Sequence, residues 1–138
     1  MKDEGLFHES VLEGMTVDQA AERIRPLLQS EGFGILGDIS FDRVLREKTG
    51  ERISPIRLLE VCNPGFALKA VGVSRDLALM MPCRLTLFES GRGVRMSLFR
   101  PTAALSLVGS DASGLANEVE GKLVDVMRRL ATGEKEVK

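Results

Sequence analysis

The chain's two cysteines lie in places where a thiol could do chemistry. Cys62 stands directly before Asn63-Pro64, and Cys83 follows Met81-Pro82. Asparagine is a strong helix N-cap and proline suits the first helical position, so a helix is predicted to begin just after Cys62. The partial positive charge of a helix N-terminus lowers a thiol pKa and favours the thiolate. Glu60 shares the strand parity of Cys62 and could act there as an acid, a base or a metal ligand.

A structural role competes with this chemistry. Free cysteine is one of the most buried residue types and usually behaves as a small hydrophobic residue. Cys83 continues the alternating apolar positions of Leu85 and Leu87, which predicts a core position. The two cysteines are twenty-one residues apart, unlike a C-x-x-C motif. A zinc ion held by both thiols would need further ligands from Glu60, His8 or a second subunit. We therefore predict no catalytic residue and no metal site, and the sequence identifies no cofactor; the candidate ligand or thiol residues are Cys62, Asn63, Pro64, Cys83 and Glu60.

Composition narrows the classes of protein. The 138 residues suit a single domain, 1–138, and the formal net charge is −1. Near-neutral charge and the absence of tyrosine and tryptophan argue against a nucleic-acid or membrane partner. A start without a long apolar run predicts a cytoplasmic protein with reduced thiols. We expect a protein that is not an enzyme.

Apolar periodicity predicts the order of elements β-α-β-β-α-β-β-α. Thr16 and Gln19 form a capping box before one apolar helical stripe, and a second long helix is predicted over 112–130. Residues 101–110 are predicted to be a loop or one helical turn, and 132–138 a charged, frayed tail. The fold class that follows is α+β, a mostly antiparallel sheet of about five strands with two long helices packed on one face. The predicted strands cover 6–13, 33–39, 55–62, 83–88 and 94–99, and the shorter helices cover 40–48 and 64–73.

The last two strands form a predicted hairpin whose outer side chains can be assigned. Both strands keep their apolar sets on one face only if the loop has an even length, for example Gly91-Arg92. The outer face is then a set of two phenylalanines, two arginines and two hydroxyls. Such a face is either a solvated surface with cross-strand and cation–π pairs, or a homodimer interface or ligand platform. The interface candidates are the predicted cross-strand pairs Arg84 with Phe99, Thr86 with Ser97, and Phe88 with Arg95.

Two motifs resemble those of a known family. They are Leu58-Leu59-Glu60-Val61-Cys62-Asn63-Pro64, followed by Ala67, and then Met81-Pro82-Cys83-Arg84. With these motifs the chain resembles the bacterial and archaeal domain-of-unknown-function family numbered 302, over about residues 16–130. The resemblance implies an α+β domain likened to the TATA-binding-protein fold, often a homodimer, and implies no particular activity. Pro26 departs from what the family's first helix would lead one to expect. Likeness to a DNA-binding fold does not by itself imply DNA binding.

The function expected from the sequence is that of a homodimeric module that binds a small ligand or a partner near Cys62, Asn63 and Cys83. A second interpretation is a thiol-based redox or metal-handling protein that uses Cys62 and Cys83. A third is a purely structural interaction module that uses the face of Arg84, Phe88 and Phe99.

Overall fold

The computed structural model describes residues 2–3, 5–91, 93–107 and 113–133. Within these ranges the strands form one sheet in the order β1-β2-β6-β5-β4-β3, and every neighbouring pair is antiparallel. The strands are β1 (Lys2–Asp3), β2 (Phe7–Glu13), β3 (Gly34–Ser40), β4 (Ile56–Cys62), β5 (Cys83–Ser90) and β6 (Gly93–Phe99).

Two long helices, α1 and α5, pack against each other and against one side of the sheet, which we call the inner face. The predicted fold class is therefore confirmed, with the short strand β1 added at one edge. The helices are α1 (Val17–Ser30), α2 (Phe41–Thr49), α3 (Pro64–Val73), α4 (Pro101–Leu107) and α5 (Ser113–Ala131), and a 3₁₀ helix covers Arg75–Met80.

The main core forms because alternation along the strands and the helical period of α1 and α5 point apolar side chains at each other. On the inner face Leu85 lies opposite Leu98, and Leu87 lies opposite Met96, all fully buried. The predicted capping box starts α1. Thr16 Oγ1 accepts a hydrogen bond from the Gln19 amide at 3.0 Å, and Gln19 Oε1 accepts one from the Thr16 amide at 3.0 Å.

The hairpin has the register that the sequence predicts. Phe88 lies opposite Arg95 and Thr86 opposite Ser97. Ser90 pairs with Gly93, which leaves a two-residue connection whose Arg92 lies outside the described residues. Arg84 and Phe99 lie one step beyond the last pair of the ladder, and both belong to the outer face, opposite α1 and α5.

Gly93 holds β2 and β6 unusually close. A Cβ atom at this position would stand 2.1 Å from the carbonyl oxygen of Leu12, which is backbone and cannot rotate away. Only glycine fits this approach, so the start of β6 is tied to the end of β2, where Gly93 pairs with Glu13.

A β-bulge interrupts the edge strand β3. Ile35 pairs with Val61 and Gly37 pairs with Glu60, so Leu36 is an extra residue, and it is 68% exposed. At Gly37 a Cβ atom would meet Glu60 Oε1 at 2.5 Å. The missing side chain thus lets the carboxylate of Glu60 lie across β3.

Two short elements differ from the sequence prediction. Residues 101–107 form the seven-residue helix α4 rather than a loop or one helical turn, and residues 108–112 lie outside the described part of the chain. Proline is tolerated at the first helical position because its missing N–H would have no partner there, and the Ala104 amide donates to the Arg100 carbonyl at 3.0 Å. The segment Arg75–Met80, for which no helix was predicted, forms the 3₁₀ helix. The frayed tail falls mostly on residues 134–138, which also lie outside the description.

Candidate functional site

An apolar cavity lies where two hydrophobic clusters meet. One cluster is the main core beneath the sheet, and the other is a small cluster of α3, α4, α5 and the 3₁₀ helix. The cavity has a volume of about 70 Å³, which is room for more than one water molecule. Its walls are Phe33, Val61, Cys62, Asn63, Phe66, Ala67, Ala70, Met80, Met81, Pro82, Cys83, Pro101, Ala104, Leu105, Leu115, Ala116 and Val119.

Small side chains on three helices keep this space open. Ala67 and Ala70 come from α3, Ala104 from α4 and Ala116 from α5. Protein interiors are otherwise close-packed, so methyl groups at four positions around one point leave a hollow that larger residues would fill. The cavity therefore follows from residue choice on the helices rather than from the sheet.

Asn63 builds the wall of the cavity by joining α3 to the end of α1. Its Oδ1 accepts a hydrogen bond from the Phe66 amide at 3.5 Å, which caps α3. Its Nδ2 donates to the Glu31 carbonyl at 3.2 Å. The amide also lies against Gly32, whose φ of +84° suits glycine, and a Cβ there would stand 3.1 Å from Nδ2. Both ends of the Asn63 amide are thus committed to the fold.

The structure brings the two thiols into the same cavity without a disulfide. Cys83 packs against the main core. Burial, with smaller contributions from Cys62 and Glu120, raises the pKa of the Cys83 thiol from 9.0 to about 11. Burial also raises the pKa of Cys62, which is the opposite of the shift expected from a helix N-terminus. Both thiols are therefore kept protonated near neutral pH.

A second hollow adjoins the cavity along the segment Met80–Cys83. We call it the outer cleft; it measures about 330 Å³ and shares six wall residues with the cavity. It contains the ion pair of Arg84 and Glu60, with Nη2 to Oε2 at 2.9 Å. The other lining residues are Leu79, Met80, Met81, Pro82, Cys83, Phe99, Pro101 and Ala104.

A buried polar network at the start of α4 was not foreseen from the sequence. Glu120 Oε2 accepts from His8 Nε2 at 2.9 Å and from Arg100 Nε at 3.0 Å. Its Oε1 accepts from the amide and hydroxyl of Thr102 at 3.0 and 2.6 Å. Burial alone would raise the pKa of Glu120, but the hydrogen bonds from Thr102, His8 and Arg100 outweigh it and lower the pKa to about 2. The available signal was a glutamate within the apolar stripe of α5.

A model of the family described as domain of unknown function DUF302 matches residues 8–130. The chain belongs to this family. The crystal structure of the uncharacterized conserved DUF302 protein from Bacillus stearothermophilus is similar to it, with a TM-score of 0.85 and 23% sequence identity. That match covers 91% of this chain and 98% of the other, and it shows a shared fold. A comparison with curated proteins finds no match.

Some side chains on the outer face of this DUF302 domain already have partners within the chain. The guanidinium of Arg95 stands 5.8 Å from the centre of the Phe88 ring and also pairs with the carboxylate of Glu9. Other apolar groups on this face stay open, since Phe99 is 43% exposed and Val11, opposite Arg95, is 55% exposed. The face thus combines paired charges with exposed apolar side chains.

Two further properties of the DUF302 domain concern metals and membranes. Among the described residues, no group of three or more His, Cys, Asp or Glu side chains is placed to hold a metal ion. Within the same part of the chain, no helix is both long and apolar enough to cross a membrane.

Proposed function

We propose that this DUF302 domain binds a small, predominantly apolar ligand in the cavity between the two hydrophobic clusters. The observation that carries the proposal is an open apolar hollow at the point where the Cys62-Asn63-Pro64 and Pro82-Cys83 segments meet. Ligand pockets are concave and mostly lined by apolar side chains. Moving an apolar group from water into such a site is favourable by about 25 cal/mol per Å² of apolar surface buried.

The chemistry of the walls supports binding rather than thiol catalysis. Burial raises the pKa of both Cys62 and Cys83, so the nucleophilic thiolate is disfavoured near neutral pH. The Asn63 amide is already bonded at both ends. The buried part of a ligand would therefore meet mainly hydrocarbon and sulfur rather than acids or bases.

An NMR titration tests the proposal. Hexan-1-ol is added to ¹⁵N-labelled protein while the amide signals are followed. We expect saturable shifts centred on Ala67, Ala70 and Ala116. The variant Ala67→Leu places extra methyl groups into the cavity and should weaken binding about tenfold, a change of about 1.4 kcal/mol.

The matched control is Ala78→Leu, an exposed position on the 3₁₀ helix outside the cavity wall. It should leave the affinity for hexan-1-ol unchanged. Shifts that do not saturate, or that map to a different part of the domain, would contradict the proposed site.

We also propose that two copies associate through the part of the outer face formed by β2 and β6, beside Arg84 and the outer cleft rather than over them. Aromatic and arginine side chains are enriched in interface cores. On this face Phe99 is exposed, Arg95 is partly exposed, and Val11 adds exposed apolar surface. Val11→Asp and Phe99→Asp would each place a buried, unpaired charge in such an interface. Light scattering should show a wild-type dimer and monomers for both variants, whereas Val44→Asp, a similarly sized change on α2, should stay dimeric. A monomeric wild type, or dimers in all variants, would reject this interface.

A further inference from the structure

We propose that the ligand is an amphipathic anion whose apolar chain fills the cavity and whose carboxylate binds Arg84 in the outer cleft. The inference rests on the proposed function, because it names the class of ligand for the same cavity. Its basis is that the apolar cavity and the charged cleft adjoin each other and share the segment Met80–Cys83 as a wall.

The cavity itself has no place for a charged or strongly polar end. Its asparagine is bonded to Phe66 and Glu31, and its thiols are weak hydrogen-bonding groups. Burial of an unpaired charge there would cost far more than the apolar contacts return. A polar end of the ligand must therefore leave the cavity, and the outer cleft is the adjoining space.

The accessible charge in the outer cleft is positive. The side chain of Arg84 is 52% exposed, whereas that of Glu60 is 26% exposed. Glu60 Oε1 lies over the bare backbone of Gly37, and its Oε2 accepts from Arg84. The carboxylate of Glu60 is thus held against β3, while Arg84 borders open space.

Arg84 keeps donors for a second carboxylate. Its hydrogen bond to Glu60 uses Nη2, and a guanidinium carries five N–H donors in a planar fork. The remaining edge can bind a carboxylate through two parallel hydrogen bonds, the geometry that arginine provides and lysine does not. Glu60 then acts as a positioning residue that fixes the plane of the guanidinium.

The wall between the two hollows is made of side chains that move easily. Met80 and Met81 line both the cavity and the cleft. Methionine is unbranched, with several rotatable bonds, and adapts to irregular space. A change of rotamer at these two positions lets an alkyl chain pass from the cleft into the cavity while its head stays at Arg84.

The test compares hexanoate, hexan-1-ol and hexylamine, which share one chain length and differ in the head group. NMR titration of the full chain should show that hexanoate binds about tenfold more tightly than hexan-1-ol. Arg84→Gln should remove this preference, so that hexanoate no longer binds more tightly than hexan-1-ol. Arg84→Lys should keep only part of it. Arg95→Gln, which removes an arginine from the same face but outside both hollows, should keep all of it.

The possible results separate this inference from the proposed function. Equal affinities for hexanoate and hexan-1-ol, or tightest binding of hexylamine, would overturn the inference while the cavity site stands. No binding of any of the three would overturn the proposed function as well. In Arg84→Gln the carboxylate of Glu60 loses its partner and would repel hexanoate. The double variant Glu60→Gln/Arg84→Gln removes that negative charge. If the double variant still prefers hexanoate to hexan-1-ol, Arg84 is not the residue that recognises the carboxylate.

Discussion

At the scale of single residues, the carboxylate of Glu120 accepts four hydrogen bonds. It ties β2 through His8 and the start of α4 through Arg100 and Thr102 to the middle of α5. The carboxylate lies deep in the fold and is ionised there, because its donors replace the water it has lost. Removing it would leave several buried donors without an acceptor.

We expect Glu120→Gln to lower the free energy of unfolding by roughly 1.5–3 kcal/mol, the range for hydrogen bonds to charged groups. Urea denaturation at pH 7 measures the change. Glu118→Gln, an exposed glutamate on the same helix, is the control and should stay within about 0.5 kcal/mol of the wild type.

The wild type and Glu120→Gln also test how the free energy of unfolding depends on pH. The folded pKa of Glu120 lies below the ordinary value of 4.5, at about 2. Its stabilisation is therefore fully present above pH 4.5 and is lost as the pH falls through about 2. The difference in stability between wild type and Glu120→Gln should shrink over that interval; a constant difference would mean that Glu120 is not ionised in the native protein.

Residue positions were easier to predict from sequence than residue chemistry. Alternation with Leu85 and Leu87 predicted that Cys83 faces the core, where it packs. The sequence left open whether Cys62 is reactive or structural, and in the structure burial raises its pKa. The Asn63 side chain already accepts from the Phe66 amide at the start of α3. Glu120 was missed because its partners come from two distant segments of the chain, around His8 and around Arg100 and Thr102.

At the scale of elements, α3 depends on one residue for its start. Asn63 caps its first turn and also bonds the end of α1 through the Glu31 carbonyl. Asn63→Ala should lower the free energy of unfolding by about 1–2 kcal/mol, because both contacts are lost. Chemical denaturation checks the value.

Asn63→Asp separates the two roles. Aspartate keeps an oxygen that accepts from the Phe66 amide but has no N–H for the Glu31 carbonyl. A loss as large as in Asn63→Ala would assign the stabilisation to the bond with α1, and a small loss would assign it to the cap. A wild-type stability for both variants would contradict the prediction.

The strands β2–β6 and the helices α1, α2, α3 and α5 could be predicted, whereas α4 and the 3₁₀ helix could not. The strands and the helices α1 and α5 show clear apolar periods of two or about 3.6 residues, which follow from which face is buried. Helix α4 and the 3₁₀ helix are too short to show a period, and isolated helices of their length are unstable in water. Their conformation depends on packing around Leu77 and Leu105, which the local sequence does not reveal.

At the scale of the whole molecule, the two hydrophobic clusters are unequal. The main core joins the sheet to α1 and α5, whereas the small cluster contains Ala70, Leu77, Leu105 and Ala116. Local opening is easiest where few apolar groups are buried. We expect the amides of α3 to exchange with deuterium at least about tenfold faster than those of β5, as read by NMR.

Ligand binding should reduce the difference in amide exchange rate between α3 and β5. Hexan-1-ol in the cavity would slow exchange in α3 and leave β5 as it was, because the ligand contacts the small cluster. Equal protection of α3 and β5 in the free protein would instead mean that both clusters open as one unit. The sequence predicted the sheet with its helices, but not this division, because the cavity depends on how separate helices meet.

The β3 edge of the described sheet is a poor template for another strand. It is broken by the extra residue Leu36. Long, regular, unpaired edges promote chain-to-chain strand pairing and fibre growth. The bulge interrupts the row of backbone groups that an incoming strand would need. Sheet growth from one copy of the domain to the next is therefore disfavoured at the β3 edge.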